Sequence, residues 1–260
     1  MAVICRRRTM ISLKDKVALI TGASRGIGRA TALMFARAGC HVVINYRTDH
    51  SAADEVRRLV EEQGTRAYVY QADVADKGRV DGMVAAVIKE FGRIDVLVND
   101  AGIWIDNPID AMTEARLRET VDTNLMGSFF TIMAVVPHMK KQRSGVIINV
   151  SSTAGQRGEA YHSPYAATKS AVIGLTKSLA VELVEYNIRV NCIAPGWVET
   201  DMSRPSLAGA EKDKVLATIP MGRVATPDEL AGPILFLASD LATFITGEVL
   251  NVNGGAVLCG

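Results

Sequence analysis

Val17-Ala18-Leu19-Ile20-Thr21-Gly22-Ala23-Ser24-Arg25-Gly26-Ile27-Gly28 passes in one short stretch from a continuous apolar run to a glycine-rich turn. The run Val17–Ile20 suits a strand buried on both faces. Beyond the turn, residues 26–38 carry Ile27, Ala30, Leu33, Met34 and Ala38 at helical spacing, and Gly39 stands where a helix C-terminal cap would. Glycines between a strand and a helix permit a tight turn and close backbone approach to a pyrophosphate, whose charge meets the helix N-terminus. The spacing here is G-x-x-x-G-x-G rather than G-x-G-x-x-G, and glycine trios also serve ordinary turns. Its place directly after a first strand points to a dinucleotide site.

Outward from that unit the apolar period keeps switching. Strands are predicted at 42–46, 67–71, 94–98, 146–150, 188–193 and 248–252. Helices are predicted at 52–62, 77–90, 113–140, 164–186 and 227–238. Strands alternating with helices imply a parallel sheet covered on both sides. The expected architecture is α/β: a single-domain Rossmann-type doubly wound fold, about seven parallel strands with helices on both faces. Residues 14–260 read as one dinucleotide-binding catalytic domain. Residues 197–226, the one irregular stretch, read as its substrate lid. Residues 1–13 carry Arg6, Arg7 and Arg8 with no apolar run behind them, so they read as a disordered extension rather than a signal. Ligands of such a sheet bind beyond the carboxyl ends of its strands.

The chain has 260 residues, 48% apolar and 22% charged, which excludes a disordered or fibrous class. Its 29 basic and 28 acidic residues leave a net charge of +1, giving no footprint for nucleic acid or an anionic membrane. No stretch approaches the ~20 apolar residues of a membrane span. The expectation is an untargeted, cytoplasmic protein. Cys5, Cys40, Cys192 and Cys259 form no C-x-x-C pair and read as buried thiols. His41, His50, His138 and His162 show no metal spacing, so no metal is expected. His162 reads as an ordinary loop residue.

The end of the second strand bears on the dinucleotide. An NAD site places a carboxylate there for the ribose 2′-hydroxyl. This chain reads Asn45-Tyr46-Arg47-Thr48, with no acid until Asp49. Arg47 and Arg25 would pair with a 2′-phosphate through charge-assisted hydrogen bonds, which favours NADP(H).

Tyr165 and Lys169 stand four residues apart in a helical pattern, so they share a face with about 5–6 Å between Cβ atoms. An ammonium beside a phenol is expected to stabilise the phenolate and lower its pKa, making Tyr165 a proton donor and acceptor. Ser152 closes the preceding strand and would hold a substrate oxygen. Taken alone, the Tyr–Lys pair reads as a solvated helix face, since the spacing often occurs by chance. Tyr161, one turn earlier, lacks a basic partner and serves as a non-catalytic control.

Together with Asn99-Asp100-Ala101-Gly102, Asn124, Pro195-Gly196 and Thr200, these motifs resemble the short-chain dehydrogenase/reductase family, in order from about Lys14 to the C-terminus. The resemblance implies a catalytic tetrad of Asn124, Ser152, Tyr165 and Lys169. Tyr165 would be the acid/base, and Ser152 would polarise the carbonyl. Lys169 would also hold the nicotinamide ribose, and Asn124 would position a water leading to solvent. The implied cofactor contacts are Gly22, Ser24, Arg25, Gly26, Ile27, Gly28, Tyr46, Arg47, Asp73, Val74, Asn99, Ala101, Gly102, Tyr165, Lys169, Pro195, Gly196, Val198 and Thr200. Among these, Asp73 and Val74 would meet the adenine, Asn99 the adenosine ribose region and Thr200 the nicotinamide amide. Asp100 departs from the family's Asn, a residue held to stabilise the sheet centre, so local stability is where its effect is expected.

Within the family the chain most resembles 3-oxoacyl-[acyl-carrier-protein] reductases, with glucose-type and other alcohol dehydrogenases sharing much of the pattern. A carbonyl/alcohol or acyl thioester substrate follows. An acyl-carrier protein is the candidate partner, docking at Lys140, Lys141 and Arg143. A second docking Arg of that branch is Tyr186 here, and the basic cluster is equally a solvated helix end. Trp197, Met202, Leu207 and Met221 would line the lid with apolar surface. Family members of this size imply a homotetramer packed through helices 113–140 and 164–186. The rival from another class is a non-catalytic NADPH-binding sensor, which would typically lack the Tyr or the Lys.

Overall fold

In the computed structural model, residues 11–259 are described. One sheet of seven parallel strands runs in the order β3-β2-β1-β4-β5-β6-β7. The strands are β1 (Val17–Ile20), β2 (His41–Tyr46), β3 (Ala67–Gln71), β4 (Val96–Asn99), β5 (Gly145–Val150), β6 (Ile188–Pro195) and β7 (Val249–Val252). The helices are α1 (Gly26–Arg37), α2 (His50–Glu61), α3 (Lys77–Phe91), α4 (Glu114–Val121), α5 (Gly127–Gln142), α6 (Thr153–Arg157), α7 (Ser163–Leu183), α8 (Ala210–Ala217) and α9 (Pro227–Ala238).

Two apolar layers sandwich the sheet. Ala18 and Ile20 point to one layer, where Phe35 of α1, Val56 of α2 and Ile234 of α9 pack. Val17 and Leu19 point to the other, against Met83 of α3, Val135 of α5 and Leu183 of α7. That two-sided burial is why β1 is apolar at every position. The strand order reverses between β1 and β4, which opens a crevice beyond their carboxyl ends.

The structure corrects four expectations. The helix predicted over 113–140 is interrupted by a π-helical turn at Asp122–Met126. The Asn124 side chain within it is drawn to the Ile103 backbone, accepting from its N–H at 2.8 Å and donating to its carbonyl at 2.9 Å. The segment 197–226 is not irregular throughout, since it contains a 3-10 turn at Arg204–Leu207 and helix α8. Helix α6 was not foreseen. Leu13, inside the expected extension, is buried and its amide donates to the Ala38 carbonyl. Residues 1–10, including Cys5, lie outside the described residues.

Candidate active site

A cleft of about 630 Å3 runs across the carboxyl ends of the strands. At its centre lies the turn from Thr21 to α1. Gly22 has φ +67°, and a Cβ there would fall 3.1 Å from the Ala101 Cα. Only glycine allows this approach of turn and β4 loop. Two residues that sequence reasoning missed hold the turn. The Thr21 hydroxyl accepts from the amides of Asp100 and Ala101, tying β1 to β4. Asn45 meets the Gly22 amide at 3.4 Å through Oδ1 and donates through Nδ2 to the Ala72 carbonyl at 3.0 Å. Neither role has a local signal, because each partner lies far off in sequence.

The N-terminus of α1 fits an anionic ligand. Its N-cap, Arg25, makes no side-chain cap, and no acidic residue stands in the first turn. Its orphan amides and dipole therefore favour negative charge. Gly22, Ser24, Arg25, Gly26 and Ile27 line the cleft there, while Gly28 is buried behind them. At the end of β2, Tyr46 and the exposed Arg47 line the cleft, as do Asp73 and Val74 after β3. The Asp49 carboxylate is already engaged, capping α2 through the Ala52 amide at 2.9 Å. Ala101, Gly102, Pro195, Gly196, Val198 and Thr200 complete the lining. Gly26 faces the Thr200 methyl across the cleft.

Ser152, Tyr165 and Lys169 line the same cleft. Ser152 caps α6, with its hydroxyl accepting from the Ala154 amide at 3.1 Å. Tyr165 and Lys169 share a face of α7, with the Lys169 ammonium 5.6 Å from the phenol ring centre. Lys169 is buried and donates to the Val150 carbonyl at 2.8 Å. Asn124 does not line the cleft but sits behind it, and its amide oxygen and the Lys169 ammonium both lie near the α-carbon of Gly102. Gly155, another residue without sequence signal, allows α6 and α7 to touch. A Cβ there would fall 2.6 Å from the Lys169 carbonyl carbon. The control Tyr161 is exposed and outside the cleft lining.

The electrostatics differ from expectation in one respect. Burial pushes the Tyr165 hydroxyl up to about 12. The Ser152 hydroxyl pulls it down, and the charges of Glu159 and Asp100 push it further up. The expected lowering by Lys169 is not found; the ammonium donates to the Val150 carbonyl, and burial lowers its own pKa. Burial raises Asp100 to about 6, against the pull of the Lys169 charge and of a hydrogen bond from the Gly28 amide. Cys192 is buried and pushed up to about 12, Cys40 is buried and raised likewise, and both are inert thiols.

Asn99 is not brought to the cleft. Its Oδ1 accepts from the Thr131 hydroxyl at 2.7 Å, and its Nδ2 donates to Asn149 Oδ1 at 3.0 Å. Asn149 in turn donates to Thr176. Asn99, not the residue after it, is thus the side chain that ties the sheet centre to α5 and α7. Of the expected lid residues, Trp197 and Met202 line the cleft, whereas Leu207 and Met221 do not. Lys140 and Arg143 both approach the face of Tyr186, at 4.4 Å and 5.5 Å from its ring centre. No group of His, Cys, Asp and Glu suited to a metal occurs among the described residues.

Residues 22–257 match the profile of a family described as enoyl-(acyl carrier protein) reductase. The chain is 44% identical over 240 residues to the 3-oxoacyl-[acyl-carrier-protein] reductase FabG of Staphylococcus aureus, covering 92% of this chain and 97% of that one. It is 43% identical over 250 residues to the 3-oxoacyl-[acyl-carrier-protein] reductase of Synechocystis sp., covering 96% and 100%. A crystal structure of gox2181 superposes with a TM-score of 0.91 at 34% identity, covering 94% of this chain and 96% of that one.

Proposed function

Because the chain belongs to the short-chain dehydrogenase/reductase family, we propose that it is an oxidoreductase reducing the 3-oxo group of acyl thioesters with NADPH. One observation carries the reading: Ser152, Tyr165 and Lys169 line the same cleft as an uncapped, glycine-bounded helix N-terminus. Bound there, NADPH supplies the hydride. The turn Gly22–Gly28 and the first amides of α1 would hold its phosphates, and Arg47 with Arg25 would pair with its 2′-phosphate.

Ser152 and Tyr165 donate hydrogen bonds to the substrate carbonyl oxygen, stabilising charge as it develops there. Tyr165 then gives up its proton at Oη. With a pKa near 12 the phenol is protonated at neutral pH, which suits a donor in the reducing direction. Lys169 Nζ, with Asn124 on the far side of Gly102, starts the route by which that proton is replaced from solvent.

Trp104, Trp197 and Met202 make the substrate end apolar, which suits an acyl thioester better than a sugar. Lys140 and Arg143, gathered on Tyr186, offer a cationic surface to an acidic carrier protein. No helix among the described residues is long and apolar enough to cross a membrane, and we take the enzyme as cytoplasmic. The assembly we propose is a homotetramer packed through α4, α5 and α7. Residues 14–260 act as one catalytic domain with a lid at 197–226.

The test compares NADPH oxidation by an acetoacetyl thioester with NADP reduction by glucose and simple alcohols. Brisk thioester reduction is expected. The Tyr165→Phe variant should lose turnover while still binding NADPH, and Tyr161→Phe should cost far less. The reverse, oxidising reaction should accelerate up to at least pH 9, since it needs the phenolate. Thioester rates at background beside rapid sugar oxidation would reject the acyl substrate. NADPH binding with no turnover on any compound would favour a sensor.

A further inference from the structure

The substrate end of the cleft is an aromatic corner built from three separate segments. Trp104, on the loop after β4, stacks on His162 with ring centres 4.1 Å apart and planes 3° from parallel. Trp197, on the loop after β6, meets Trp104 edge to face at 5.8 Å and 88°. The Trp104 indole N–H donates to Glu159 Oε2 at 3.1 Å. Trp104, Trp197 and Glu159 all line the cleft with Tyr165.

His162, expected to be an ordinary loop residue, is the buried base of this corner. Its Nδ1 lies 3.0 Å from the Ala160 carbonyl, an acceptor, so Nδ1 carries the proton. Nε2 is buried without a partner, so that edge of the ring is turned away from water. The stacked ring below, the carboxylate at the indole nitrogen and the second indole beside it fix the orientation of Trp104. Such a corner is formed before any substrate arrives.

We propose that Trp104 and Trp197 form the subsite for the group carried by the reacting carbonyl, and that it selects a planar, apolar substituent such as an aryl ring. This rests on the reading of the cleft as a carbonyl-reducing site. A flat ring stacks on an indole and gains roughly 2- to 10-fold beyond the area it buries. A saturated substituent gains the area alone, and a flexible one also loses rotamer freedom on ordering. A polyol leaves hydroxyls unpaired against the indole faces.

The experiment compares 3-oxo-3-phenylpropanoyl and 3-oxo-3-cyclohexylpropanoyl thioesters, which share a carbon skeleton and differ in planarity. The ratio of their kcat/KM values is measured for the wild type, Trp104→Phe and Trp104→Ala. Because conjugation alters the intrinsic reactivity of the phenyl ketone equally for all three, the change in ratio is the readout. We expect the ratio to fall several-fold in Trp104→Ala and to be largely kept in Trp104→Phe, which retains a ring. A ratio unchanged in Trp104→Ala overturns the proposal.

Binding separates this outcome from failure of the functional reading. The protein has only two tryptophans, Trp104 and Trp197, so its indole emission reports on the corner. Titrating the protein loaded with the oxidised coenzyme, which cannot reduce the ketone, should give tighter phenyl than cyclohexyl thioester binding. That preference should vanish in Trp104→Ala, where Trp197 still reports. Equal affinities in the wild type overturn the aromatic subsite, whichever reaction the protein catalyses.

Discussion

Asp100 shows how much a single half-buried carboxylate can shift. Its pKa near 6 stands above the ordinary value, so the folded chain holds this proton more tightly than the unfolded chain. The stability of the protonated form is therefore complete below the unfolded pKa of about 4 and lost as pH rises through about 6. Asp100→Asn keeps an acceptor for the Gly28 amide without a charge to desolvate. It should gain about 1–2 kcal/mol at pH 8, after allowance for partial exposure, and nothing near pH 4. Urea midpoints at the two pH values check this, and equal shifts at both would refute it. Arg47 offers a second test. Arg47→Ala should weaken NADPH roughly 10- to 150-fold and leave NADH nearly unchanged, as each lost charge-assisted bond costs about 1.5–3 kcal/mol. Isothermal titration with both coenzymes decides it, and equal losses would remove Arg47 from the 2′-phosphate.

Elements bring the candidate site together by contacts that no local pattern encodes. The Tyr165–Lys169 spacing and the Gly22–Gly28 turn were readable because each lies within one helix or one strand–helix junction. Thr21, Asn45 and Gly155 were not readable, because their partners are Asp100 and Ala72, just past β4 and β3, and Lys169 on α7. The π-turn was hidden for the same reason: Asn124 leaves the helical ladder to bond Ile103. The phenol is shifted up rather than down because burial by several elements dominates its surroundings, and Lys169 on the same helix does not offset it. Gly155→Ala tests the α6–α7 contact directly. A methyl 2.6 Å from the Lys169 carbonyl carbon must push the helices apart, at about 1–3 kcal/mol. Denaturation midpoints and turnover should fall together, because Ser152 and Lys169 ride on the two helices. Wild-type stability and activity would show that the helices do not meet so closely.

On the molecular scale, the sequence alternation carried the doubly wound sheet nearly residue for residue, with Ala67–Gln71 and Pro227–Ala238 matching the predicted segments. What the alternation could not carry is the outer surface. Phe129 and Met133 on α5 and Val181 on α7 are 37%, 54% and 78% exposed, leaving apolar side chains on the helices proposed to pair in the tetramer. Val181→Glu should therefore lower the mass seen by light scattering at micromolar concentration. A wild-type monomer, or a variant still tetrameric, would refute that surface.

The strand order also bears on how the chain is made. Strand β1 sits mid-sheet, flanked by β2, which follows it directly, and by β4, which begins only at Val96. As the chain emerges from the ribosome, β1, β2 and β3 can pair early, yet one side of β1 stays an open, wholly apolar edge until β4 is synthesised. The same reversal that opens the crevice thus creates an interval in which the nascent chain exposes a template for wrong pairing, and synthesis speed through residues 50–100 sets how long that interval lasts.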